Sequence, residues 1–328
     1  MTAPLALVTG ASGFVGSHVV DELLRRGARV RCLLRSTSSR RWLEGKPVEI
    51  AEGDVCHPEG LDAAVAGADW IVHAAGLTRA KDAAEFHRAN VLGTELILGA
   101  ALGTSPAPRR FLYISSQAAA GPSWNGTPVT EDLEPRPVST YGSTKLQGET
   151  LVMRAADRIS VTAIRPPVVY GPREKEFLRY FRTVKCHIRP RLPGTRRFSL
   201  VYAVDLARAV WEALTQDRAV GKVYFVGGPD LVSYDETGDE IARALGTWAV
   251  PVFLPGFVLH AGGLAGELAG ALTRRPPFLS REKIREITTG DWILSSQRIR
   301  SELGWSPATS LEQGLRETAR WYREAGWV

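Results

Sequence analysis

The sequence predicts an α/β protein built on a doubly wound parallel sheet, with a smaller, mostly C-terminal region attached. Three observations predict it. A short apolar run, Leu5-Ala6-Leu7-Val8, passes through the glycine-spaced turn Gly10-Ala11-Ser12-Gly13-Phe14-Val15-Gly16 into a helical pattern. Further short apolar runs alternate with helical stretches through the first half of the 328 residues, the pattern of βαβ units. Small or hydroxyl-bearing residues stand at the C-terminal ends of these runs, Ala74-Ala75-Gly76 and Ser115-Ser116 among them. In open α/β sheets that is where ligands sit.

The glycine turn comes first. Phe14, Val15, Val19, Leu23 and Leu24 recur at helical intervals, and Gly27 stands where that helix would end. A strand-to-helix turn of this kind needs residues without a Cβ, so that the backbone bends sharply and comes close to a phosphate. The helix start offers free N–H groups and the positive end of its dipole. Gly10, Ser12, Gly13, Phe14, Val15 and Gly16 are therefore candidate pyrophosphate contacts. A plain glycine-rich turn is the bland alternative, but the place of the turn as the first βα connection favours a Rossmann-type dinucleotide site.

Residues 29–35 read as the second strand, ending in Arg35 and followed by Ser36, Thr37, Ser38 and Ser39. An acidic residue there would accept from a ribose 2′-hydroxyl. Arginine with hydroxyls suits a 2′-phosphate instead, so NADP is the expected cofactor, with NAD as the alternative. A solvated basic loop is the non-functional reading of the same residues. Val48–Ala51 reads as a third strand, after which Asp54 and Val55 fall beside the adenine; a turn aspartate is the alternative for Asp54. Residues 69–76 read as a fourth strand whose Ala74, Ala75 and Gly76 leave room for a cofactor. His73 within it reads as a packed core histidine. Residues 85–102 read as one helix, 110–114 as the fifth strand, and 117–140 as a long loop of the length usually reserved for function.

Tyr141-Gly142-Ser143-Thr144-Lys145 then opens a helix. Tyr and Lys four residues apart project from one face. A phenol of ordinary pKa about 10 is a poor base at neutral pH. A lysine one turn away would stabilise the phenolate, and Ser116 opposite would hold a substrate oxygen.

At this point the chain resembles an extended short-chain dehydrogenase/reductase, of the NAD-dependent epimerase/dehydratase superfamily. The matching stretches are TGASGFVG (9–16), GDV (53–55), HAAG (73–76), NVLGT (90–94), YISS (113–116), YGSTK (141–145), RPPVVYGP (165–172), VYAVDLARA (201–209) and the C-terminal stretch 303–322. They cover almost the whole chain in family order. The resemblance implies Ser116 and Tyr141 as proton-handling residues and Lys145 as the group that bonds the nicotinamide ribose and tunes Tyr141. It places Pro166, Pro167 and Val168 beside the nicotinamide. It also implies a homodimer through the helices at 85–102 and 141–156.

The rest of the chain is read as follows. The Rossmann half is expected over 1–170, its sheet completed by about 199–228; residues 171–198 and 229–328 are expected to bind substrate. Residues 173–197 are basic, from Arg173 to Arg197, and read equally as a solvated surface or as a site for an anionic group. Ser233 with Glu236, and Ser310 with Gln313, read as helix N-caps. Residues 248–272 are strongly apolar; they read as a cover over the substrate cleft, with peripheral membrane contact as the alternative. No uncharged segment is long enough to span a bilayer.

The formal net charge of +6 suits anionic cofactors, and no nucleic-acid motif accompanies it. Cys32, Cys56 and Cys186 form neither a CxxC pair nor a metal spacing, so no metal is expected and a reducing cytoplasm fits. No N-terminal signal pattern is read.

Three functions remain. The first is hydride transfer between NADP(H) and a carbinol or ketone carbon of a hydrophobic substrate, near the hydroxysteroid-dehydrogenase-like and dihydroflavonol-reductase-like branches. The second is nucleotide-sugar epimerisation, which the resemblance disfavours: related epimerases place Asn at the position of Val168 and often Arg at that of Phe198. The third is non-catalytic cofactor binding, which would not need Ser116, Tyr141 and Lys145 together. Gln117-Ala118 stands where related dehydratases carry Asp-Glu, which argues against 4,6-dehydration.

Overall fold

A computed structural model describes residues 3–328 apart from 192, 195, 274, 275 and 278. The first strand, β1 (Leu5–Thr9), is buried along its whole length, as a strand covered on both faces must be. It leads through the glycine turn into α1 (Phe14–Arg25), then β2 (Arg29–Leu34) and β3 (Val48–Glu52). After α2 (Leu61–Val65) the chain returns to the other side of β1 as β4 (Trp70–His73).

The sheet grows outward from β4 through β5 (Arg110–Ile114) and β6 (Val161–Arg165). Its final order, after the addition of Lys222–Phe225, is that strand, β6, β5, β4, β1, β2, β3, and every pair is parallel. The order reverses direction between β1 and β4, so a crevice opens at their C-terminal ends. The sheet is thus the doubly wound arrangement expected, and the strand at 222–225 rejoins it as expected.

The helices on its second face differ from the sequence reading. In place of one helix over 85–102 there is α3 (Ala83–His87), a π-turn at Arg88–Leu92, and α4 (Gly93–Gly103). The extra residue of the π-turn carries Asn90, fully buried, whose side chain holds both Leu77 N and Leu77 O. The expected loop at 117–140 begins with a single helical turn, α5 (Gln117–Ala120), capped by Ser116. It is followed by α6 (Thr140–Arg154). Val19 and Leu23 of α1 form one core with Val8 and Leu112; Ile97 of α4 and Val152 of α6 form the other with Leu7, Ile71 and Phe111.

Beyond β6 lie strands that sequence periodicity did not reveal. β7 (Val168–Tyr170), β8 (Ile188–Arg191) and β9 (Arg197–Tyr202) flank α7 (Phe177–Lys185). They are three to six residues long and pair with distant segments, so local pattern carries little signal for them. α8 (Ala203–Thr215) returns to pack on α1, and β10 (Lys222–Phe225) completes the main sheet.

β11 (Leu231–Ser233) joins β9 and β7 in a three-stranded sheet. α9 (Tyr234–Leu245) starts with the expected capping box of Ser233 and Glu236. β12 (Val250–Phe253) pairs with β8 and precedes α10 (Gly256–Thr273). α11 (Arg281–Thr288) and α12 (Gln297–Leu303) lead to α13 (Leu311–Glu324), capped by Ser310 on Gln313 N as expected. Phe181, Ile241, Leu315 and Tyr322 make the core of this second layer.

Candidate active site

The glycine turn is a cradle with open donors. Gly10 has φ +68°, and a Cβ there would sit 2.8 Å from the Ala74 and Ala75 backbone. A Cβ on Gly16 would run into Gly10 O. Gly13, the N-cap of α1, supplies no side-chain cap, and the first turn has no acidic residue. By contrast, side chains cap α3, α5, α6, α9, α11 and α13. The N–H groups that begin α1 are therefore left for an external anion, and a dinucleotide pyrophosphate fits them.

At the adenosine end the chain presents Arg35, exposed, one residue past β2, where the main-chain N donates to Ser38 Oγ at 3.1 Å. Arg41 stacks 4.6 Å over Trp42 of the same loop. Asp54 Oδ1 accepts from Cys56 N at 3.0 Å, so this carboxylate also holds a turn, the alternative its sequence position allowed. Val55 lies against Gly93. Ala74, Ala75 and Gly76 follow β4 directly.

Ser116 and Tyr141 meet across α5 and α6, and Lys145 follows Tyr141 on α6. Ser115 N bonds Ile164 O at 2.7 Å and Gln117 N bonds Pro166 O at 2.8 Å, which sets Pro166 beside Ser116. Val168 follows with 48% of its surface exposed. Gly142 lets α6 close on α5, since a Cβ there would strike Ala118 O. A hydrogen bond between the Ser116 and Tyr141 side chains favours the phenolate.

Two electrostatic features stand out. Burial pushes the Tyr141 phenol above its ordinary value, and the Ser116 bond offsets only part of that rise. Lys145 donates to Ile114 O at 2.7 Å and lies 4.1 Å over the Tyr113 ring. Burial pushes its own pKa down to about 7, with Glu149 pulling the other way. The charges that act on Tyr141 come from the second layer, from Glu286 and Lys283 on α11 and from Glu176. Lys283 and Glu286 lie over a hundred residues away in sequence and Glu176 thirty-five, beyond the reach of any spacing rule.

A buried polar chain fixes the cofactor side of the site. Ala75 N donates to Thr9 Oγ1 at 3.1 Å, and Thr94 Oγ1 donates to Asn90 O at 2.8 Å. His73 lies between them, Nδ1 2.7 Å from Thr9 Oγ1 and Nε2 3.0 Å from Thr94 Oγ1. With the Thr94 proton committed to Asn90 O, His73 Nε2 must donate and Nδ1 must accept from Thr9. Burial holds His73 neutral, its pKa down to about 3. His73 is the packed histidine expected, and it ties the Ala74–Gly76 wall to the π-turn. Asn90 also donates to Thr144 Oγ1 at 3.1 Å on α6.

The basic stretch 173–197 is largely engaged by the protein. Arg173 holds Ser17 and Asp21, Arg189 holds Asp235 and Asp239, and Arg191 reaches Asp235. Arg196 bonds Gly290 O and Arg197 pairs with Asp291. Phe198 is buried against Tyr234, ring centres 4.9 Å apart. Most large side chains of the apolar stretch 248–272 are exposed. α11 flanks the catalytic helix, Glu282 accepting from Thr140 N, and α10 packs outside α11. An open groove along α3, α6 and α11, lined by Ala83, His87, Ser143 and Gln147, lies apart from the catalytic trio.

A dinucleotide cradle at the switch point and a Ser-Tyr-Lys set beside it define an NAD(P)-dependent oxidoreductase. The chain belongs to the NAD-dependent epimerase/dehydratase family, whose model matches residues 6–227. It is 31% identical to a ceramide reductase of Caulobacter vibrioides, over 98% of this chain and 95% of that one. It is 30% identical to a 4-hydroxy-2-methyl-3-oxo-4-farnesyl-3,4-dihydroquinoline-1-oxide ketoreductase of Stigmatella aurantiaca, over 94% and 93%. Among solved structures it is similar to MoeE5 in complex with UDP-glucuronic acid and NAD, at TM-score 0.77 and 26% identity over 98% and 99%. Among the described residues no helix is long and apolar enough to cross a membrane, and no group of side chains could hold a metal.

Proposed function

We propose that this enzyme interconverts a ketone and a secondary alcohol on a hydrophobic substrate, with NADP(H) preferred. When bound, the cofactor's nicotinamide gives or takes the hydride. Gly10, Ser12 and Gly13 with the α1 N-terminus hold its pyrophosphate, Arg35 meets its 2′-phosphate, and Lys145, Pro166 and Val168 border its nicotinamide half. In reduction Tyr141 donates its hydroxyl proton to the carbonyl oxygen, and in oxidation it takes that proton back. Ser116 orients the same oxygen and supports the phenolate by its hydrogen bond. Lys145, buried with a pKa near neutrality, is poised to move its ammonium off Ile114 O and toward a new acceptor. Residues 171–198 and 229–328 form the substrate-binding region, and α3, α4 and α6 the interface of a homodimer.

One observation carries the substrate class. Phe198 is buried in the second core and Val168 is an exposed aliphatic, so neither position can bond a nucleoside diphosphate. The paired arginines of 173–197 leave little for such a group. The two reductases above, named for a ceramide and a farnesyl ketone, support the same reading. MoeE5, solved with a UDP-sugar, favours the second one, epimerisation. Calorimetry with NADPH present separates them: long-chain acyl and polycyclic ketones should bind, and UDP, dTDP and GDP should not. Micromolar binding of a nucleoside diphosphate with no response to any apolar ketone transfers the assignment to the epimerase. For the cofactor, Arg35→Asp should weaken NADPH while sparing NADH; a wild type that prefers NADH about tenfold, or 1.4 kcal/mol, overturns NADP.

A further inference from the structure

α10 is turned inside out. Its outward stripe is Phe257, Val258, Leu264, Leu268 and Leu272, with Phe257 75% and Leu272 87% exposed. Its inward face is glycine. A Cβ on Gly263 would lie 2.5 Å from Ile284 Cδ1, and one on Gly266 would strike Leu279 O. A surface helix of an ordinary domain does the reverse, with large apolar residues inward. The stripe continues onto β12, where Val250, Val252 and Phe253 are exposed, and to Trp248, stacked on His187 at 4.1 Å. Contiguous apolar surface of this kind marks a docking face.

We propose that this face docks on an anionic lipid bilayer, with α10 lying in the plane of the interface. Charge complementarity points to that partner. Between Gly246 and Thr273 the only carboxylate is Glu267, and it is paired with Arg281, bonded at 2.9 and 2.8 Å. The stretch thus shows acidic headgroups no unpaired carboxylate. β8, paired with β12, brings Arg191, exposed but shared with Asp235, beside Phe253, and Lys185 is exposed just before β8. Arg274-Arg275 follows Thr273 in the sequence and lies outside the described residues.

A second copy of the chain fits less well. Protein interfaces carry about one hydrogen bond per 100–200 Å², and the polar side chains exposed on α10 are only His260 and Thr273. The docking does not depend on the substrate assigned above, although α10 packs on α11 and α11 on the catalytic helix.

The test is co-sedimentation of the full chain, without substrate or cofactor, with vesicles of phosphatidylcholine alone or mixed with phosphatidylglycerol. Wild type should pellet with the mixed vesicles and more weakly with phosphatidylcholine. The double variant Leu264→Glu, Leu268→Glu should lose at least about tenfold in binding, as expected from removing two buried leucines, with NADPH affinity unchanged. Should that variant fail to fold, Phe257→Ser gives the same reading. Wild type that stays in the supernatant overturns the proposal, as does a folded variant that pellets equally. A wild-type dimer that the variant makes monomeric, with no vesicle binding, assigns the face to a second copy instead.

Discussion

At the scale of the residue, the proton chemistry rests on two buried groups pulled in opposite directions. Tyr141→Phe removes the exchangeable proton and keeps the ring packed near Phe86. Turnover should fall about 10²–10⁴-fold, the usual worth of general acid–base catalysis, with NADPH affinity unchanged; half of wild-type activity would refute the role. Lys145 gives a second test. Its pKa is depressed from 10.5 to about 7. Between those values the unfolded chain binds the proton and the folded chain does not, so stability rises as pH climbs from 7 toward 10.5. Between pH 7 and 9 the wild type should gain about 2 kcal/mol relative to Lys145→Met. Urea midpoints at the two pH values read this directly, and parallel changes in the two proteins would show a lysine that is not desolvated.

The catalytic trio was legible because two members share a helix face and the third ends a strand. Asn90, Lys283 and Glu286 were not. Their influence on the site depends on a π-turn and on α11 folding back across the chain, and neither leaves a period in the sequence.

At the scale of the element, the glycines of the first turn do different work from a glycine on a free helix surface. Gly16→Ala places a methyl against Gly10 O, a backbone atom that cannot yield without opening the turn. It should cost more than about 2 kcal/mol of stability and most of the cofactor affinity. Gly99 on α4 is exposed with nothing within 4 Å of its would-be Cβ. Gly99→Ala should be neutral or stabilise by about 0.5–1 kcal/mol. Thermal melts and NADPH titration of the pair check the contrast; equal effects would remove the special role of the turn. Most strands of the Rossmann half were readable because they are buried apolar runs between clear turns. β7, β8, β9 and β11 were not, since strands this short draw their identity from pairing partners tens of residues distant. The apolar character of 248–272 was readable, but neither its helix nor the direction its side chains face. That direction is set by glycines packed against Leu279 and Ile284.

At the scale of the whole molecule, two buried neutral histidines join the nucleotide-binding half to its surroundings. His73 runs through the sheet from the Ala74–Gly76 wall to the π-turn. His18, on the phosphate-binding helix α1, donates from Nε2 to Pro172 O at 3.0 Å, where the chain passes into the second layer. Burial, aided by Arg173, lowers His18 to about 4, and burial lowers His73 to about 3. With folded values below the ordinary 6.5, the unfolded chain takes up protons first as pH falls. Stability is therefore full above about 6.5 and is lost progressively below it. Each histidine should cost about 3 kcal/mol by pH 4, a large share of the 5–15 kcal/mol typical of a domain. Acid should thus separate α1 from the second layer before the remaining packing gives way. His18→Gln keeps a donor for Pro172 O without the titration. Its urea midpoint should fall less steeply between pH 6.5 and 4, by about 3 kcal/mol over that range. Profiles for wild type and variant that run parallel would place the acid sensitivity in the carboxylates instead.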